Sequence, residues 1–168
     1  MRAGAALAGL AGALCLGLSG CGFTPLYANP ELGPALAAVE VTTPEGRAGA
    51  LLREQLDDAL GHRASLPPAY RLDVALSELR YPRGVRVDNV ATRYEYVLTA
   101  AYTLTTTGGS EPLKTGKVRV ELTYDSADEP YASVIAQQDA QARAAQEAAR
   151  RIQIELSSFL AGQGSRTE

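Results

Sequence analysis

Few side chains in this sequence belong to the types that do chemistry. Cysteine occurs twice, at Cys15 and Cys21, and histidine once, at His62. Cys21 closes Leu18-Ser19-Gly20-Cys21, the end of an apolar run of small residues, and is followed at once by Gly22-Phe23-Thr24-Pro25-Leu26-Tyr27. Leu-Ser-Gly-Cys matches the bacterial lipobox, where a transferase attaches diacylglycerol to the cysteine sulfur before a peptidase cuts in front of it. The residues before it fit a secretory signal peptide: Arg2 supplies one positive charge, Ala3 to Leu18 is uninterrupted and apolar, and Ser19-Gly20 is a small pair. The run is shorter and less apolar than the roughly 20 residues a spanning helix needs. Cys15 lies inside the segment expected to be removed, so no intramolecular disulfide is expected. Cys21 is therefore read as the lipid-bearing first residue of the mature chain. Two or three acyl chains hold a protein firmly to a membrane where one holds it marginally, since each buried methylene contributes about 0.8 kcal/mol. Gly22, rather than Asp, after the cysteine points to the outer membrane.

The remaining candidates point away from catalysis. His62 has no mature cysteine to join it, and no carboxylate spacing suggests a metal site, so neither metal nor cofactor is expected beyond the covalent lipid. Glu95 and Glu121 alternate with Arg93 and Arg119 and read as cross-strand charge pairs rather than as an acid–base couple. No P-loop, G-x-S-x-G or dinucleotide fingerprint occurs, and the chain is read as a non-enzyme with no catalytic residues. Removing residues 1–20 leaves 168 − 20 = 148 residues, and losing Arg2 leaves 15 basic against 19 acidic, a net charge of −4. That balance argues against nucleic acid as a partner. Any anion site must be local, and the candidate is Arg80-Tyr81-Pro82-Arg83-Gly84-Val85-Arg86. Arg80, Arg83 and Arg86, joined by Lys114 and Lys117 from the next hairpin, would gather around a Pro-Gly turn, and arginine forks suit phosphate.

The elements that must position these residues follow from periodicity. Residues 21–37 carry Pro25, Pro30, Gly33 and Pro34 and read as a lipidated tether. The single domain is expected over 38–161, with a frayed tail at 162–168. Ala38 to Thr42 alternates as a first strand, and a helix is expected from Pro44 to Leu60, with Thr43 as its N-cap and Gly61 as its stop. After Pro67-Pro68 the period becomes two. Tyr70, Leu72, Val74 and Leu76 share a face, and the apolar phase then moves to Leu79 and Tyr81, which suggests a bulge or bend. Tyr94, Tyr96, Leu98, Ala100, Tyr102 and Leu104 form the next apolar face, Gly108-Gly109 turns the chain, and Val118, Val120, Leu122 and Tyr124 repeat the pattern. The other face, with Val97, Thr99, Ala101, Thr103 and Thr105, is small and threonine-rich, which suits either solvent or a docked partner. A long helix follows Pro130, with Tyr131, Val134, Ile135, Gln138, Ala142, Ala145, Ala149, Ile152, Leu156 and Phe159 along one stripe. The order β-α-β-β-β-α gives an α+β two-layer sandwich, with two helices on one face of a four-stranded, mostly antiparallel sheet.

Taken together, Cys21-Gly-Phe-Thr-Pro-Leu-Tyr27, the strand Ala91 to Leu104 and the alanine-rich helix Tyr131 to Ile152 resemble the lipopolysaccharide-assembly lipoprotein family LptE, in its alphaproteobacterial form. The resemblance implies a non-enzymatic, lipid-anchored outer-membrane protein, its domain on the periplasmic side or inside the lumen of the β-barrel LptD. Such a protein supports assembly of the barrel and helps place lipopolysaccharide in the outer leaflet. The resemblance also implies lipopolysaccharide binding through basic residues, without saying which. Phe23 and Tyr27 would then lie at the membrane interface or against the barrel. The competing expectation is a lipoprotein subunit of an ABC-type transport system.

Overall fold

Period-two patterning builds the longest strands of this protein, and their pairing fixes which face each residue takes. The computed structural model describes residues 30–85, 91–126 and 129–164. Within them the chain forms helix α1 (Leu32–Ala37), strand β1 (Val39–Thr42), helix α2 (Arg47–Leu60), strands β2 (Tyr70–Val85), β3 (Ala91–Thr106) and β4 (Pro112–Asp125), and helix α3 (Pro130–Gly164). The sheet order is β1-β2-β3-β4. β1 runs parallel to β2, and the β2–β3 and β3–β4 pairs are antiparallel. The expected α+β sandwich is the observed one.

The helix-facing side of the sheet carries Leu72, Val74, Tyr96, Leu98, Ala100, Tyr102, Leu104, Val118, Val120 and Tyr124, all buried. Against them pack Leu52, Leu56 and Leu60 of α2 and Ala140, Ala144, Ala148, Ile152 and Leu156 of α3. Each large apolar side chain sequestered this way contributes about 1.5–3 kcal/mol. The alanines let α3 approach a sheet already filled by tyrosine rings.

Four sequence expectations need correction. The tether expected through residue 37 ends earlier, because Leu32, Leu36 and Ala37 of α1 are buried in the core. α2 begins at Arg47, not Pro44: Gly46 stands before it at φ 114, outside helical space, while the Thr43 hydroxyl donates to the Gly49 carbonyl at 3.0 Å. The stop at Gly61 is as expected, with φ 64 and its N–H donating to Asp58 while His62 N–H donates to Asp57. No bulge interrupts β2 against β3, where the pairing keeps one register from Tyr70↔Thr106 to Val85↔Ala91. Leu79 and Tyr81 therefore lie exposed on the helix-free face, and the register shift falls instead between Leu104 and Thr105 against β4.

The fourth correction concerns α3. Tyr131, Val134 and Ile135 continue the core stripe in sequence but are 78%, 50% and 45% exposed. Length explains this. α3 has 35 residues and α2 only 14, or about 52 Å against about 21 Å at 1.5 Å per residue. The first turns of α3 extend past the end of α2, so nothing among the described residues buries their outer side. At the other end α3 continues through Gly164, beyond the expected limit of 161, and residues 165–168 of the expected tail lie outside the described residues.

Candidate functional site

The expected basic cluster is divided by the strand alternation. Arg80 pairs with Tyr96 and so faces the helices, where its Nη1 donates to Gln137 Oε1 at 2.8 Å and its guanidinium lies 4.7 Å from the Tyr94 ring centroid. Arg83, three residues on, takes the helix-free face. Its Nε donates to Glu95 Oε2 at 2.8 Å and its guanidinium sits 5.8 Å from the Tyr81 ring centroid. β2 continues as a strand through Pro82 and Gly84, so the Pro-Gly pair does not turn the chain as expected.

Lys114 pairs with Leu104 and faces the helices, its Nζ 5.8 Å from the Phe159 ring centroid, whereas Lys117 is exposed opposite Ala101 on the helix-free face. Arg80 and Lys114 share a face but lie eight β3 positions apart, as do Arg83 and Lys117 on the other, a separation of about 27 Å. The four therefore form no single patch. Arg86 and the expected lipid-bearing Cys21 lie outside the described residues.

At the Arg80 end a polar clasp holds α3 to the sheet. Tyr96 Oη donates to Glu78 Oε2 at 2.6 Å, and Gln141 Nε2 donates to the same oxygen at 3.2 Å. Toward the other end Tyr102 Oη donates to Glu155. Burial, reinforced by the hydrogen bond and charge of each carboxylate, pushes both phenols well above the ordinary tyrosine range. Tyr94 stacks on Tyr124 with ring centroids 5.7 Å apart. The expectation that Tyr94, Tyr96, Tyr102 and Tyr124 face the helices agrees with this geometry.

The charge pairs differ in detail from those expected. Glu95 accepts from Arg83 of β2, Arg93 donates to Asp125 of β4 at 2.8 Å, and Arg119 pairs with Glu121 along its own strand at 2.6 Å. Two further features escape a reading of residue types. One is the apolar group of Leu79, Tyr81 and buried Val97 on the helix-free face, rimmed by the ion-paired Arg83, Arg93 and Arg119. The change of apolar phase at Leu79 is its signal in the sequence, and it marks a change of face rather than a bend. The other is a groove of about 520 Å³ between β4 and α3, lined by Val120, Leu122, Arg143, Glu147, Arg150 and Arg151. There Arg151, hydrogen-bonded to Glu147 at 2.7 Å, holds that carboxyl below the usual range. The Arg151 guanidinium also donates to the Arg119 carbonyl at 3.1 Å, occupying an acceptor of edge strand β4. Among the described residues no cluster of metal-ligating side chains occurs, and no helix is long and apolar enough to cross a membrane.

The fold and its surfaces define a class: a two-layer α+β domain that covers one sheet face with helices and, among the described residues, carries no helix on the other. Within that class the chain belongs to the lipopolysaccharide-assembly family LptE, whose pattern matches residues 36–156. It is similar to a lipoprotein of Caulobacter crescentus CB15 of known crystal structure, at 48% identity and a TM-score of 0.70, over 79% of this chain and 97% of that one. The fold also matches the rare lipoprotein B of Shewanella oneidensis, at 15% identity and TM-score 0.57, over 75% of this chain and 96% of that one. Lipoprotein B of Nitrosomonas europaea shares the fold at 14% identity and TM-score 0.55, over 73% of this chain and 83% of that one. Comparison with curated protein sequences gave no match.

Proposed function

We propose that this protein is an outer-membrane lipoprotein, anchored by lipid on Cys21, that associates with the barrel LptD, supports its assembly, and assists the placing of lipopolysaccharide in the outer leaflet without catalysing a reaction. The family match over residues 36–156 carries this reading. The helix-free face supports it, because an exposed tyrosine and leucine over an apolar centre, with arginines at the rim, make the kind of surface that protein interfaces favour. The mature chain starts at Cys21 in this reading, and no cofactor takes part.

Lipopolysaccharide phosphates, in the same reading, meet the basic residues at two separate places. Arg80 and Arg83 serve one end of the sheet from its opposite faces, Lys114 and Lys117 serve the other end in the same way, and Arg86 lies outside the described residues. Because Arg80 and Arg83 already have partners, each contact would be screened and individually weak.

The test is a detergent pull-down of the lipidated protein, with partners identified by mass and the N-terminal peptide of the same preparation weighed for acylation. A heat-modifiable outer-membrane barrel in the eluate is the expected result. An inner-membrane ABC-type complex in its place would refute the assignment, and an unmodified Cys21 would refute the anchor.

A further inference from the structure

Strand β2 is 16 residues long, and its neighbour β1 has only 4. β1 pairs with it from Tyr70 to Asp73, so among the described residues no strand lies beside Leu76 to Pro82 on the edge away from β3. Backbone bonds at the start of β2 fix which groups that edge presents. The Ala69 carbonyl accepts from Thr107 N–H, while Tyr70 N–H donates to the Ala38 carbonyl on the opposite side. The β2–β3 register then continues unbroken to Arg83↔Arg93. Odd-numbered residues therefore aim their backbone groups at β3, and even-numbered ones aim theirs outward. Leu76, Glu78 and Arg80 each offer an N–H and a carbonyl there, and Pro82 a carbonyl only. Proline at an outward position costs β3 no hydrogen bond. Such a row is a template for another strand.

The side chains of this stretch are complementary to their own reverse. Glu78 and Arg80 share the helix-facing side, where they hold Tyr96, Gln141 and Gln137, and both remain exposed. Leu79 and Tyr81 lie on the helix-free side, 46% and 40% exposed. Laid antiparallel to an identical strand with Leu79 opposite Leu79, the stretch sets Glu78 of each copy opposite Arg80 of the other, and Tyr81 opposite Ser77. Even-numbered residues then meet in the hydrogen-bonded pairs, as their outward groups require. Each Glu78–Arg80 pair exchanges both backbone bonds, and each Leu76 N–H donates to a Pro82 carbonyl. Moving the centre by one residue either way would put Glu78 opposite Glu78, or Arg80 opposite Arg80, and like charges directly opposite are destabilising.

We infer that this protein pairs with a second copy of itself through the β2 edge, Leu76–Pro82 antiparallel to the same residues about a twofold axis at Leu79. The two sheets become one continuous sheet. Leu79 and Tyr81 of both copies merge into one apolar patch on the helix-free face, and ion pairs between Glu78 and Arg80 close the other. Beyond this stretch Arg83 and Gly84 of each copy reach the corner where β1 of the other ends. A hollow of about 600 Å³, with Thr42, Pro44, Asp73, Val74 and Ala75 among its lining residues, receives them there. A contact this short lies at the small end of protein interfaces, so the association is weak and concentration-dependent. It needs neither the barrel nor the lipid of the proposed function.

Disulfide trapping in the full-length lipidated protein tests the register. Residues facing each other in a non-hydrogen-bonded antiparallel pair have Cα atoms about 4.5 Å apart, within disulfide reach. The Leu79→Cys variant should therefore form a disulfide between its two copies under mild oxidation, identified by the mass of the joined peptides. Ser77→Cys, exposed on the same face, is the control: its two copies stand about 13 Å apart along the strands and should link at least roughly tenfold more slowly. Sedimentation equilibrium in density-matched detergent reads the charges. Glu78→Arg or Arg80→Glu alone opposes like charges at both symmetric positions and should weaken association roughly tenfold. Both changes together restore opposite charges across the contact and should bring it back to within about threefold of the parent, with circular dichroism unchanged. Equal linking at positions 77 and 79, a parent protein that stays monomeric at every concentration, or a double exchange no better than the single ones would overturn the pairing.

Discussion

Replacing Gly116 by alanine should be among the most damaging single-methyl changes in the sheet. Gly116 lies directly opposite Tyr102 in the β3–β4 register. A Cβ built on it would overlap the Tyr102 phenol, deep inside van der Waals contact. The ring has nowhere to go, being 2% exposed and tied through its hydroxyl to Glu155 on α3. Forcing it aside carries an overpacking cost of about 1–3 kcal/mol. Breaking the bond to a charged acceptor adds about 1.5–3 kcal/mol, and the better strand propensity of alanine over glycine offsets about 0.5–1 kcal/mol. The net expectation is a loss of about 1.5–5.5 kcal/mol, or a Tm lower by roughly 5–20 °C for a domain of this size. Urea unfolding followed by circular dichroism, with linear extrapolation, measures it. The same change in a Tyr102→Leu background should cost less than about 0.5 kcal/mol, because the colliding phenol is gone. A Gly116→Ala protein as stable as its parent, or an equal cost in both backgrounds, would refute the reasoning.

Gly49→Ala should also destabilise, by about 2 kcal/mol or more, since its Cβ would meet the Pro44 carbonyl, a backbone atom that cannot swing away; thermal unfolding checks this. Because folding raises the Tyr96 and Tyr102 pKa values, the unfolded chain loses those protons first as pH rises. Their stabilisation is complete below pH of about 10 and declines above it; urea midpoints should fall between about pH 9.5 and 11.5, less steeply in the Tyr96→Phe protein. Val134→Ser with Ile135→Ser should change stability by less than about 0.5 kcal/mol per site, as surface changes do, whereas Ile152→Ala should cost about 2–5 kcal/mol. If the first pair cost as much as the second, α3 would have a cover that the described residues do not supply.

Much of the fold was legible because it rests on local periodicity. Alternation in Tyr94, Tyr96, Leu98, Ala100, Tyr102 and Leu104 dictates a strand with one buried face, and Gly61 and Gly108, at φ 64 and 82, mark the helix stop and hairpin turn that their freedom from a Cβ allows. The order of elements from β1 onward and the helix side of the tyrosines followed from those signals alone. The candidate site was legible only in its residue types. Whether Pro82 and Gly84 turn or extend depended on β3 pairing across them through Arg83↔Arg93 and Val85↔Ala91, a contact that β2 does not encode by itself. Once extended, the two-residue period sends Arg80 and Arg83 to opposite faces.

The same distinction separates the two ends of α3 and the entry segment. Residue type determined that Tyr131, Val134 and Ile135 continue an apolar stripe, but burial needs a neighbour, and the shortness of α2 leaves them in solvent. Pro30, Gly33 and Pro34 read as a linker by composition, yet Leu32 and Leu36 are buried as α1 packs on the domain and so join the core. Sequence by itself determined each element's period, its breaks and the side chains it could offer. Tertiary structure decided which were covered, because hydrophobic burial is a property of two surfaces and a single segment encodes only one of them.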